Sequence, residues 1–240
     1  MENTTQEKQK TCQRCGECCI RGGPAIHEAD AALILNGSIP LNQLYTIRPG
    51  ERAYDNVNGG LFQVTTDIIK IKSREGSQAC VFYDDANNAC RIYEKRPMEC
   101  RLQACWDNDA LQQAYTGDRL SRKEILVNSQ WLRELIDAHE ERCHFEFIYP
   151  LVESREAGDM SAAAELTEIV NYDAHFRDIA VSKGQVPADL LDFLLGRLRE
   201  ISPGHSVGTM IWEWENFTLE DLEARGFEIR KKGHRMGMKM

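Results

Sequence analysis

Eight cysteines gathered between Cys12 and Cys105 constrain this chain more than any other feature. They form a run, Cys12-Gln13-Arg14-Cys15-Gly16-Glu17-Cys18-Cys19, and a second set at Cys80, Cys90, Cys100 and Cys105. In the run, three thiols recur every third residue and a fourth follows at once. A CxxC turn points two sulfurs at one metal. Extending it to CxxCxxC wraps three thiols around one small object, as in loops that hold three irons of a cubane cluster. Gly16 supplies the tight turn without a Cβ penalty. Adjacent side chains tend to diverge, so Cys19 is expected to turn away from Cys18, toward a second site or the opposite edge. The second set can complete either arrangement. Four thiolates complete a zinc or a [4Fe–4S] site, so eight fill two such sites, or one with thiols in reserve.

The alternatives to metal are weaker. The first ten residues are polar and lack the apolar core of a signal peptide, and no window approaches the roughly 18 apolar residues of a membrane span. The expected location is therefore the cytoplasm, with no membrane partner, and in a reducing compartment structural disulfides are rare. Core cysteines are common, but they do not cluster at CxxCxxCC spacing.

Composition limits the rest. The chain has 240 residues, 42% hydrophobic, with 29 basic against 38 acidic side chains and a net charge of −9. That balance argues against a general nucleic-acid binder, which needs a basic face. The basic stretch over 230–240 reads as a solvated end. The expected organisation is a disordered lead (1–11), a cysteine-cluster metal-binding domain (12–106), and a helical region (107–240) packed on it. The fold class is α+β, mostly helical, with a cysteine-rich front of short strands.

Local patterns place the elements. A helix is expected over 28–35, ended by Asn36-Gly37, and a helical turn from the spacing of Leu41, Leu44 and Tyr45. Strands are expected over 61–65, 68–72, 80–83 and 91–93, with turn chemistry at 84–88. Pro97 opens a helix carrying Cys100 and Cys105. Ser121 and Glu124 form a capping box for a helix running toward Arg142. Further helices are expected over 160–183, 188–201 and 219–225, the last with Thr218 and Asp221 as its cap pair, and strands over 210–214 and 227–230. With so little periodic apolar pattern between Cys12 and Cys105, ligation is expected to supply much of that region's folding energy, so that metal removal unfolds the N-terminal half and spares the helices.

Cys12–Cys19, Cys80-Val81-Phe82 and the string Cys90-Arg91-Ile92-Tyr93-Glu94-Lys95-Arg96-Pro97-Met98-Glu99-Cys100-Arg101 resemble the YkgJ-type cysteine-cluster family, a zinc- or iron-chelating CxxCxxCC domain. The resemblance runs from Cys12 to Cys105 and implies all eight cysteines as ligands. A related cluster in flagellin lysine N-methylase implies iron–sulfur chemistry. Methyl transfer is not carried over, because no glycine-rich loop here resembles a methyl-donor site.

Thiolate-only ligation and CxxCxxC spacing favour iron–sulfur, of [4Fe–4S] type, over zinc. Arg96 and Arg101 flank Pro97 and Cys100 and are candidates to donate hydrogen bonds to cluster sulfurs; pairing of one of them with Glu94 is the structural alternative. Trp106 reads as core, as do Trp212 and Trp214. His139 and Cys143, at i,i+4 with His144 adjacent, read as structural or surface residues, with metal chelation as the weaker alternative. No acid–base or nucleophile constellation points to an enzyme. The leading expectation is a cytoplasmic iron–sulfur protein that carries electrons or supports a partner metalloenzyme. The alternative is a zinc-stapled protein-interaction module.

Overall fold

The chain was described by a computed structural model, in residues 12–55, 59–104, 106–107, 109–115 and 117–198. The expected lead, Cys105, Trp212, Trp214 and the elements expected beyond residue 201 lie outside these residues. The described residues up to Arg197 form one compact unit.

This unit is α+β and mostly helical, with three two-stranded antiparallel sheets in its front half. Its elements are α1 (Ala31–Leu35), β1 (Leu44–Ile47), β2 (Arg52–Tyr54), β3 (Leu61–Gln63), β4 (Ile68–Ile71), β5 (Tyr83–Asp84) and β6 (Ala89–Cys90). Helices follow: α2 (Met98–Leu102), α3 (Asp109–Tyr115), α4 (Arg122–Ile125), α5 (Gln130–Glu140), α6 (Phe145–Glu156), α7 (Met160–Ser182) and α8 (Leu191–Leu195).

Strands β1 and β4 organise the core. Leu44 pairs with Ile71, Thr46 with Ile69 and Ile47 with Ile68. Because side chains alternate along a strand, Leu44, Thr46, Ile69 and Ile71 share one face, and all four are buried. That face packs with Phe193, Leu194 and Leu195 of α8 and Ile136 of α5, and Thr46 Oγ1 donates to the Phe193 carbonyl at 2.7 Å. The opposite face presents Ile47, Ile68 and Lys70. The hydrophobic core therefore straddles the cysteine-rich front and the helices, so apolar burial contributes to holding the front.

Several elements depart from the sequence expectations for local reasons. Leu41–Gln43 is a 3-10 turn, but Leu44 and Tyr45 belong to β1, where pairing with β4 overrides their helical spacing. Cys80 makes an isolated bridge to Ser73, and the strand begins only at Tyr83. The helix opened by Pro97 ends at Leu102, short of Cys105. The Ser121–Glu124 capping box forms, yet its helix stops at Ile125 and the chain turns before α5. The helix expected over 188–201 is a 3-10 turn plus α8, closed by Gly196 at φ +68°, where a Cβ would stand 2.9 Å from the Thr46 carbonyl oxygen.

One buried ion pair fastens the turn before β4 to the helices. Arg122 donates from Nε and Nη2 to Asp67 at 2.9 and 2.7 Å, from Nη1 to the Leu194 carbonyl, and from Nη2 to Glu140. Every donor direction used in this way offsets the desolvation of a 3% exposed guanidinium.

Candidate metal centre

The CxxCxxCC run folds as a tight loop. Arg14 and Gly16 have positive φ, and the backbone N–H groups of Cys19 and Ile20 both donate to the Gly16 carbonyl, at 2.8 and 3.0 Å. Gly16 is required twice over. Its φ is +82°, and a Cβ there would fall 2.3 Å from the Tyr83 hydroxyl oxygen. Tyr83 is held in place by donating to Asn88 Oδ1 at 2.8 Å, across the β5–β6 turn.

That hairpin and α2 carry Cys90 and Cys100 of the second set, and Cys80 lies just before the hairpin. Cys90 on β6 pairs with Tyr83 on β5, the Cys80 backbone N–H donates to the Cys19 carbonyl at 2.7 Å, and Cys100 sits in α2. Two recesses result. An outer one of about 40 Å³ is bordered by Cys12, Cys15, Cys18, Cys19 and Cys90. An inner one of about 640 Å³ is bordered by Cys18, Cys19, Cys80, Cys90 and Cys100. Seven of the eight cysteines named from sequence thus border one or both recesses, and the eighth, Cys105, lies outside the described residues. The thiols pass from exposed (Cys12, Cys15, Cys18) through half-buried (Cys19, Cys90, Cys100) to buried (Cys80).

Cys18 and Cys19 do not diverge as their adjacency implied. Cys18 is in the right-handed helical region and Cys19 begins a 3-10 turn (Cys19–Arg21), and in a helical turn neighbouring side chains are not sent to opposite faces as they are in a strand. Their thiols hydrogen-bond. The bond from Cys19, helped by backbone N–H groups and Arg21 and opposed by burial, brings the Cys18 pKa down to about 6. The same bond, then burial and the neighbouring Cys18, Cys90 and Cys100, pushes Cys19 up. Burial foremost raises Cys80 and Cys100, with nearby thiols adding to it. Crowded thiols that resist joint ionisation are relieved by a cation placed among them. This donor set therefore fits a thiophilic metal.

Of the two arginines named from sequence, Arg96 borders the inner recess and Arg101 borders neither recess. Arg96 donates from Nη1 to the Tyr93 carbonyl at 2.9 Å and stacks on Tyr93 at 3.8 Å; Arg14 stacks on the same ring at 4.1 Å. Arg101 donates to the Arg96 carbonyl at 2.7 Å and lies 3.7 Å from the buried Asp30 carboxylate, so its carboxylate neighbour is Asp30 rather than Glu94. Trp106, expected in the core, is 40% exposed.

The far wall of the inner recess carries polar groups that were not among the residues expected at the site. Glu99 accepts the Ala25 backbone N–H at 2.7 Å and pairs with His27 Nε2 at 3.0 Å, with Lys70 and Arg119 beside it. The available signal was Lys70 itself, a charged residue sharing a strand face with Ile68.

A second group of ligand-type atoms occurs at His139, Cys143 and Asp173, all buried and within 4.8 Å of one another. Its charges are already matched. His139 Nε2 pairs with Asp173 Oδ1 at 2.7 Å, Arg177 Nε donates to both Asp173 oxygens, and Arg48 Nη1 donates to the Cys143 carbonyl at 3.0 Å. Burial pushes the Asp173 carboxyl up, but the His139 and Arg177 hydrogen bonds overcome it and hold the pKa at about 2. Burial pushes the Cys143 thiol up to about 12. Two guanidinium groups leave little room for a divalent cation. Cys143→Ser is therefore expected to leave metal content unchanged while lowering stability by about 1–3 kcal/mol through a poorly satisfied buried hydroxyl. Metal analysis and urea unfolding of the variant check both parts.

A thiol-lined centre of this kind defines a metal-chelating cysteine-cluster domain. Residues 11–117 match the family model CxxCxxCC, described as a putative zinc- or iron-chelating domain. The protein is metal-binding. No curated protein and no solved structure matches the chain. Among the described residues, no helix is long and apolar enough to cross a membrane.

Proposed function

We propose that the thiols of Cys12, Cys15, Cys18, Cys19, Cys80, Cys90, Cys100 and Cys105 hold iron–sulfur, of [4Fe–4S] type, in a cytoplasmic protein that carries electrons or supports a partner metalloenzyme. The observation that carries this reading is the donor set. No histidine borders either recess among the described residues, and cysteines border both. All-thiolate ligation is the habit of iron–sulfur clusters. When bound, the cluster supplies reversible one-electron chemistry. The chain's own residues position it and tune its surroundings. Tyr83 and Gly16 fix the loop, while Arg14 and Arg96, stacked on Tyr93, set positive charge beside the thiolates. The exposure of Cys12, Cys15 and Cys18 supports exchange of electrons or metal with a partner protein.

A zinc-stapled interaction module is the second reading. Cys19, Cys80, Cys90 and Cys100 border one recess and are equally sufficient for a tetrahedral zinc site. Purification without oxygen, followed by iron, acid-labile sulfide and zinc counts, separates the two. Brown protein with equal iron and sulfide is the expected result. Colourless protein with stoichiometric zinc and no sulfide establishes the second reading instead.

A further inference from the structure

We propose that the 640 Å³ recess behind the cysteines is a binding site for a small organic anion with an apolar body, its charged head held by Lys70 and Arg119. Its volume falls in the range of small-molecule pockets, and its walls have the usual make-up of many apolar groups and few convergent polar ones. The apolar wall comes from the outward face of β1 and β4, with Ile47 and Ile68, and from Ala53 and Phe62 on the β2–β3 hairpin.

The charges on the wall favour an anion. Arg21, Lys70, Arg96 and Arg119 border the recess against two carboxylates, Glu17 and Glu99. Glu17 is exposed and lies 3.9 Å from Arg21. Glu99 is committed to the Ala25 N–H and to His27. Its nearest approach to Arg119 Nη1 is 3.9 Å, beyond a hydrogen bond. Arg119 uses Nη2 on the Tyr115 carbonyl at 2.7 Å, which leaves Nη1 buried with no hydrogen-bond partner among the described residues. A buried, unsatisfied guanidinium nitrogen costs stability unless something occupies it. Lys70 stands on the same wall, and burial lowers its amine pKa against the pull of Glu99. A carboxylate between Lys70 and Arg119 answers both groups with charge-assisted hydrogen bonds. The hydrocarbon part of the ligand then lies along Ile47, Ile68 and Phe62. The cysteines border the same recess, so the bound molecule sits beside the metal centre. The proposal does not depend on which metal that is.

The test uses the metal-loaded protein and calorimetric titration with hexanoate, with 1-hexanol and hexylammonium as probes of the same body and different head. Hexanoate is expected to bind at least about tenfold more tightly than either. Lys70→Met and Arg119→Met are each expected to weaken it by about tenfold or more, and Lys70→Arg to retain it. Acetate, lacking the body, is expected to bind more weakly than hexanoate. Metal content is measured on every sample, so loss of hexanoate binding with metal intact bears on this site alone. Absence of hexanoate binding to the unmutated protein overturns the proposal, as does equal affinity for 1-hexanol. Unchanged hexanoate affinity in both folded methionine variants overturns it as well. Should the methionine variants not fold, the comparison of head groups on the unmutated protein decides it.

Discussion

Chelation of the metal is expected to open residues 12–23 and 84–104 to trypsin while 25–71 and 121–195 stay resistant. The difference lies in what holds each segment. The first 3-10 turn and α2 contain no fully buried residue, and the hairpin carrying Cys90 has only two pairs of strand residues. A hairpin this short is not stable by itself. Ligation by structural zinc in small peptides is worth about 10–16 kcal/mol, comparable to the roughly 5–15 kcal/mol that stabilises a whole domain, so its loss removes what orders those loops. The β1–β4 pair, by contrast, buries one face against α5 and α8 and keeps it without metal. Faster cleavage after Arg14, Arg21, Arg91, Lys95 and Arg101, read by mass spectrometry, is the expected pattern. Uniform acceleration along the chain would show that the metal holds the entire unit.

The same distinction explains what could be read from the sequence. The cysteines were legible because their spacing is chemistry in one dimension; CxxC geometry needs no knowledge of the fold. Equally local was the capping box of Ser121 and Glu124, which forms as expected. Leu44 and Tyr45 were misread because their spacing is compatible with a helical turn, and only pairing with Ile71 and Lys70 makes them a strand. Helix α6 was not anticipated, since Pro150 interrupts its interior pattern. Arg122 occupies the first turn of α4. Its burial follows from Asp67, 55 residues away, which no local rule could supply.

At the site, what stayed hidden was again relational. Nothing in the run Cys12–Cys19 says that the Cys18 and Cys19 thiols meet, because that depends on Gly16 reversing the chain against Tyr83. The pairing of Glu99 with His27 joins residues 72 apart in sequence, and it turns a glutamate beside a presumed ligand into a structural acceptor.

The contact between Cys18 and Cys19 changes what cysteine replacement should do. Had the two diverged, Cys15 and Cys19 would serve separate centres and lose metal independently. Instead Cys18, Cys19 and Cys90 border both recesses, whereas Cys12 and Cys15 border only the outer one and Cys80 and Cys100 only the inner one. Cys19→Ser and Cys90→Ser are therefore expected to abolish metal binding throughout, with affinity falling by more than the roughly 10–100-fold that follows loss of an outer partner of a ligand. Cys12→Ser, at the exposed rim, is expected to leave a labile remainder, because all five inner thiols, Cys18, Cys19, Cys80, Cys90 and Cys100, stay in place. Cys100→Ser is expected to remove the inner centre and with it the coloured or zinc-bound core. Anaerobic metal and sulfide counts on the four variants, set beside Cys143→Ser as the unaffected reference, measure this directly. Full metal content in Cys19→Ser or Cys90→Ser would mean that the shared border is only packing, and that the thiols of the two recesses act apart.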